Sequence, residues 1–460
     1  MKHMKQICLL LAVLACFFLP AAAFAEEAPV PAIQVQLNGE TLQFSDAAPV
    51  NENGRVYVPF RAVFEALDAE VDYRAEDGLI MAEKEGTSVT FKVNESAVSV
   101  DNGTENEITI DAPPFIRDGR TYVPVRFAAQ TFGLTVGWDS TLQTVVMLDK
   151  AALKEAARGQ YTIMDSCMEY SKSFNEKPLQ VDGDIQFDMQ VANGSGEDAR
   201  MIPVTGSMAL DGISTVDTAS MDMAVKLDLA SLQTALEEAG SLTDEDKTVM
   251  EQLKAFDMQV IANLETGKVY MKSGMFALAG MDGTAWYMMD LNEMIAGAGM
   301  DLKALMEAAK GTSYEAYMMT MIDTLPVDDA LSCAMLLQTV TQYQDSHFQK
   351  VGNNYVSSMK QEAAGMTTAT SLTIKTNGSD VTGWQEAMSM YLGTAPLMTV
   401  KADQTGSKTT MTMTMNMEGM MTMNLSGTMN CTATSEQPLA APPAGSVIMD
   451  MTADMMSEAA

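Results

Sequence analysis

The sequence Gly54-Arg-Val-Tyr-Val-Pro-Phe-Arg61 returns without a gap as Gly119-Arg-Thr-Tyr-Val-Pro-Val-Arg126. A duplication of this kind constrains the fold strongly, because whatever the first copy builds the second must build again. In each copy a turn dipeptide, Asn53-Gly54 or Asp118-Gly119, precedes a short strand expected at 56–58 or 121–123. Pro59 and Pro124 follow, where the first turn of a helix needs no amide donor. Ala62, Phe64, Ala66 and Leu67, and then Phe127, Ala128, Thr131 and Phe132, recur at near-helical spacing. Strands at 70–73 and 135–138 close the copies, and 34–37 and 89–93 alternate like further strands. A small duplicated α+β domain over 33–149 is expected.

Upstream, residues 1–25 read as an export signal. Lys2 and Lys5 give a basic start, 7–19 an apolar core, and Ala23-Phe24-Ala25 a small-x-small cleavage site. Val13-Leu14-Ala15-Cys16 is a partial lipobox. The apolar run continues past it through Phe17, Phe18 and Leu19, so a secreted or cell-surface protein is expected in preference to a lipid-anchored one. Residues 26–32 form a linker, and no later run reaches the roughly 18 apolar residues of a membrane span. Loss of Lys2 and Lys5 takes the formal net charge from −33 to about −35. Such a surface repels phosphate backbones and sets nucleic acid aside as a partner. Cys167, Cys333 and Cys431 form an odd set without C-x-x-C spacing. At most one bridge can form, and small buried side chains are the plainer reading.

Composition changes near residue 150. Of 42 methionines all but Met1, Met4, Met81 and Met147 follow Lys150, whereas no arginine follows Arg200. Two opposed shifts mark a second module, 151–460. A helix is expected over 151–174, strands over 181–191, 201–210 and 215–229, and a helical stretch over 231–256 broken at Gly240-Ser241 and restarted with Thr243 as cap. Strands over 257–264, 268–272 and 285–291 and helices over 292–323 and 327–346 come next. Long hairpins run from Phe348 until Pro438, Pro442 and Pro443 open an irregular tail ending in 447–451.

The segments NGRVYVPFRAVFEALDAEVDYR and PPFIRDGRTYVPVRFAAQTFGLTVGWD resemble the copper amine oxidase N-terminal-like domain, a stalk module of exported bacterial proteins. That resemblance implies display outside the cytoplasm and not oxidation. A copper amine oxidase needs three histidine ligands and a tyrosine before an acid. Beyond the signal segment the chain has His347 alone, and Asn354-Tyr355 is followed by Val356, so copper oxidase chemistry is excluded. In the second module, Gly283-Thr-Ala-Trp286-Tyr287-Met-Met-Asp290-Leu291 is similar to a strand of the lipoprotein-carrier-like proteins, whose half-barrel sheet holds acyl chains. The resemblance implies a large antiparallel, half-barrel-like sheet with packed helices, and the whole chain an α+β fold.

The sharpest constellation is a methionine hairpin. Met411, Met413, Met415 and Met417 alternate with polar residues, so one face of a strand carries four sulfurs. If the loop spans 418–420, Met417 faces Met421 and Met415 faces Met423, whereas a two-residue loop would turn the second set outward. Soft thioethers select Cu(I). Methionine also fills irregular apolar cavities, and its use throughout the module (Met221, Met294, Met306) favours core or cavity lining. The ligand-cavity candidates are Trp286, Met288, Met411, Met413, Met415, Met417, Met421 and Met423. No catalytic, metal or cofactor residue is expected. Asp182-Gly-Asp184 and Asp244-Glu-Asp246 lack calcium-loop spacing, Ser357-Ser-Met-Lys360 has no partner motif, and His347 beside Asp345 lacks a nucleophile. Arg55, Arg61, Arg120 and Arg126 suggest structural pairing with strand acids. The expected protein is a non-enzymatic one that binds an apolar small molecule or lipid; a structural or adhesive envelope protein gripping cell-wall polymer is the alternative.

Overall fold

Asn53-Gly54 and Asp118-Gly119 each place two consecutive residues at positive φ, 55° and 77° in the first turn and 49° and 72° in the second. Turns of this hand match the twist of a hairpin and favour glycine at the second place. In the computed structural model they join Val50–Glu52 to Arg55–Pro59 and Phe115–Arg117 to Arg120–Pro124. The structure describes residues 33–452 apart from 75, 77, 141, 175, 194–199, 239, 241, 297–301, 364–365, 418–419 and part of 325–339. The expected signal segment and linker therefore lie outside the described residues.

The two strands Arg55–Pro59 and Arg120–Pro124 pair antiparallel with Tyr57 opposite Pro124, Val58 opposite Val123 and Pro59 opposite Tyr122. Val58 and Val123 occupy the same place in the repeat, so the copies are related by a local two-fold axis between them. The ion pairs obey the same symmetry. Arg55 of the first copy meets Asp111 of the second at 2.9 Å, Arg120 of the second meets Asp46 of the first, and Glu52 meets its own repeat counterpart Arg117. The expected pairing of the repeated arginines with acids thus occurs across the copies for Arg55 and Arg120, while Arg61 meets Glu65 of its own helix at 3.8 Å. The partners of Arg55 and Arg120, however, are loop acids of the opposite copy.

Strands are exchanged as well. Ala97–Asp101 and Glu105–Thr109 extend the sheet of Glu70–Arg74, Leu79–Lys84 and Thr87–Lys92, while Gln34–Leu37 and Glu40–Thr41 join Thr135–Asp139 and Thr144–Leu148. Helices Phe60–Ala66 and Val125–Thr131 begin directly after the two prolines. Their inward residues Val63, Phe64, Ala128 and Ala129 share one core, with the Phe91 and Phe127 rings edge-on at 5.6 Å.

The described residues of the rest of the chain supply a fourteen-stranded sheet. Hairpins from Gln349–Val351 through Asn354–Ala363, Met366–Thr376, Val381–Leu392, Ala395–Thr405 and Lys408–Met417 lead to Met421–Ala433. That strand pairs with Leu179–Asn193, and the sheet continues through Arg200–Ser214, Thr218–Asp228, Ala255–Asn263, Lys268–Ser273 and Trp286–Asp290. All these pairs are antiparallel. Ile448–Asp450, from the expected irregular tail, adds itself in parallel to Trp286–Asp290 at the edge.

The helix expected over 151–174 is two helices, Lys150–Ala157 and Thr162–Phe174. The second is capped from a distance, as the Asp345 carboxylate accepts from the Thr162 and Ile163 amides at 3.1 Å each, satisfying orphan first-turn donors. Between them the Tyr161 hydroxyl donates to the Ala157 and Val340 carbonyls. Thr243 and Asp246 form the expected restart as a capping box before Asp244–Leu253. That helix ends at Leu253, earlier than expected, because 255–263 is strand. The expected 292–323 helix is Leu291–Ala296, Leu302–Ala309 and Tyr314–Thr324.

Candidate functional site

Side chains alternate between the two faces of a strand, so register decides which residues meet. Met417 lies opposite Met421 and Met415 opposite Met423, the pairing expected of a three-residue loop. Followed across the sheet, the row containing Met415 gains a methionine on every neighbouring strand. Met390 pairs with Met398, Met398 with Met415, Met415 with Met423, and Met423 with Met189. Five adjacent strands thus carry a methionine ladder on one face. Strands stand about 4.8 Å apart, so each flexible thioether reaches its neighbours. The sequence showed only the hairpin part; Met390 and Met398 lie on the two strands just before it, without its unbroken alternation of methionine, and Met189 lies on a strand remote in sequence.

The face is covered unevenly. At one end Met189 and Met423 are 1% and 4% exposed, beneath Leu236 of helix Ala230–Glu238 and Met250 and Leu253 of helix Asp244–Leu253. Met413 and Met415 pack partly on this cluster. At the other end Leu372 and Ile374 lie under Tyr161, Met164 and an aromatic group that includes Tyr314 and Tyr343. Burial, with the Glu386 carboxylate adding to it, pushes the Tyr343 phenol up to about 12. Burial raises Tyr314 too, so both remain neutral donors. Between the two ends Met388, Met390, Met398, Val400 and Met411 are half-buried and join none of the clusters of buried side chains formed by the described residues.

Of the sequence candidates, Met411, Met413, Met415, Met417, Met421 and Met423 share this face. Trp286 and Met288 do not join them. The chain of registers from Met423 through Met189, Val204, Leu227 and onward puts Tyr287 and Met289 on the methionine face. Trp286 and Met288 point the other way and pack with Ile261 and Tyr270. The tail covers that side, with the Trp286 amide donating to the Val447 carbonyl and the Asn263 side chain to that of Ala440.

The weaker motifs take structural places. Ser357 is buried and donates to the Gln342 carbonyl at 2.9 Å, on the face opposite to Lys360. Asp345 caps a helix instead of orienting His347. Cys167, Cys333 and Cys431 are free thiols, and burial pushes Cys167 up to about 11, which suppresses its reactivity. No cluster of three or more His, Cys, Asp or Glu among the described residues could hold a metal. Repeat-related clefts of about 790 and 650 Å³ flank the two-fold axis of the first region, lined in part by Arg126 and Arg61 respectively.

The two regions therefore define a mixed α and β protein: small sheets built by a duplicated unit, followed by one large antiparallel sheet with an apolar face. Residues 36–147 match the copper amine oxidase N-terminal domain family. No curated protein matches the chain. Among solved structures, the chain is similar to a DUF1329 family protein from Desulfovibrio piger, at 7% identity and a TM-score of 0.18, covering 59% of this chain and 92% of that one. It is also similar to lipovitellin, at 7% identity and a TM-score of 0.17, covering 60% of this chain and 26% of that one. Likeness at that level carries no functional argument. No helix among the described residues is long and apolar enough to cross a membrane.

Proposed function

We propose that the large sheet module, 151–460, binds an apolar ligand such as an acyl chain along the open part of the methionine ladder. The duplicated domain, 33–149, serves as a stalk that displays it outside the cytoplasm, and the protein performs no catalysis. One observation carries this reading: a strip of half-buried methionine and valine lies between two helix-covered ends of the same face. Unbranched, polarizable methionine suits a surface that must fit more than one apolar shape. A half-barrel sheet closed at both ends by helices would give that strip a bounded length. Five thioethers in one row favour a second reading, a Cu(I) site.

Titration with the uncharged dye Nile red tests the first reading. A saturable, blue-shifted signal is expected, abolished by Met398→Lys or Val400→Glu and kept by Met420→Lys at the exposed turn. Absence of saturable binding, or equal loss in all three variants, contradicts it. Cuprous ion that binds tightly and is lost on Met398→Leu would support the second reading.

A further inference from the structure

Beside the ladder lie two buried glutamines, each with an amide atom that has no hydrogen-bond partner among the described residues: Gln342 Oε1 and Gln361 Nε2. Gln342 is 4% exposed and Gln361 7%. Buried polar groups are almost always paired, and leaving one unpaired costs stability. Two such atoms at one place therefore call for a reason.

Their position supplies one. Gln361 lies opposite Thr368 and Thr368 opposite Met390, so Gln361 stands in the same cross-strand row as the methionine ladder. Gln342 donates from Nε2 to the Thr370 hydroxyl at 3.1 Å, and Thr370 is opposite Met388 in the next row on that face. Met359, the partner of Thr370, precedes Gln361 by two residues, about 7 Å along a strand. Both glutamines thus stand at one end of the half-buried strip, one lacking an acceptor and the other lacking a donor.

We infer that these glutamines bind the polar head of an amphipathic ligand whose apolar chain lies on the methionine ladder, and that the head is uncharged and both donates and accepts hydrogen bonds. This deepens the reading of the face as a ligand site and rests on it. A primary amide or a hydroxyl carries both the acceptor that Gln361 Nε2 lacks and the donor that Gln342 Oε1 lacks. A carboxylate or phosphate offers no proton to Gln342 Oε1. It also meets no cation: among the described residues of strands Asn354–Ala363 through Met421–Ala433, the one charged side chain that register places on this face is Glu386, and it is an acid.

Displacement of Nile red from the full chain by decanamide, decan-1-ol and decanoate at pH 8 tests the assignment. Decanamide and decan-1-ol should displace the dye at concentrations about tenfold below decanoate, the worth of one net hydrogen bond. Gln361→Leu and Gln342→Leu should each reduce that preference while retaining dye binding. Equal displacement by all three compounds, or a preference that survives both substitutions, overturns the head-group assignment and leaves the apolar face standing; this is the result expected if ordered water alone fills the gap. Failure of Nile red to bind the unaltered protein removes both. The melting temperature separates a structural role, since replacing an orphan amide by leucine should then raise it and leave selectivity unmoved.

Discussion

Truncation of single methionines along the ladder should reveal where the face is closed. Met189 is 1% exposed and lies in the helix-covered cluster, so Met189→Ala forfeits full burial and leaves a cavity, at a cost of about 3 kcal/mol. Met398, two strands beyond Met423 in the same row, is half-buried and outside the buried clusters. Met398→Ala removes only part of a side chain's burial and opens to solvent instead of to a void, which puts its cost at about 1 kcal/mol. The difference of about 2 kcal/mol is roughly a thirtyfold change in the folded-to-unfolded ratio. At about 2–4 °C per kcal/mol for a domain of this size, Met189→Ala should lower the melting temperature by some 6–12 °C and Met398→Ala by 4 °C or less. Circular dichroism melts of ligand-free protein read both values. Equal losses would mean that the strip around Met398 is as tightly packed as the helix-covered end, and the face would then be a solid core.

Other consequences are independent of any ligand. Asp345→Ala uncaps helix Thr162–Phe174 and should cost about 1 kcal/mol in urea denaturation, with Asp345→Asn restoring most of it. Gly206→Ala would drive a methyl group into the Phe187 ring and to 2.6 Å from the Lys226 carbonyl oxygen; a loss of 1–3 kcal/mol or more, about that of an overpacked core, is expected in the same assay. Hydrogen bonds from Arg120 and Arg55 hold the Asp46 and Asp111 carboxyls below their usual range. A depressed folded-state pKa contributes stability that is present above the unfolded value of about 3.9 and lost as pH falls through the folded one. The contribution of these two pairs to stability should therefore be constant from pH 7 to about 5 and weaken below about pH 4. Asp46→Asn with Asp111→Asn should remove that component of the acid dependence, and a stability slope between pH 5 and 7 that depends on these two residues would contradict the assignment.

Local chemistry made some features legible. Asn-Gly and Asp-Gly before a short strand and a proline announced each repeat, and period-two alternation put the methionines of each hairpin strand on one face, whereas the register, open between two loop lengths, is set by the pairing of Met417 with Met421. What escaped depends on contacts remote in sequence. The exchange of strands and ion pairs across the two-fold axis is set by pairing between Val58 and Val123. The break at 158–161 is stabilised from Val340 and Asp345. The sequence candidates set Trp286 and Met288 with the methionine hairpin, but Tyr287 and Met289 share the Met415 face, which follows from six intervening strands. The orphan amides of Gln342 and Gln361 leave no trace in sequence at all.

An apolar ligand held on the methionine face should travel with the protein through purification. Native mass spectrometry of the protein purified from its host without detergent tests it most directly, with organic extraction to identify any bound mass. A co-purifying apolar molecule with an uncharged polar end is expected, lost from the Val400→Glu protein. Bare protein that also takes up no added decanamide or decan-1-ol, or protein carrying copper on the ladder instead, would contradict it.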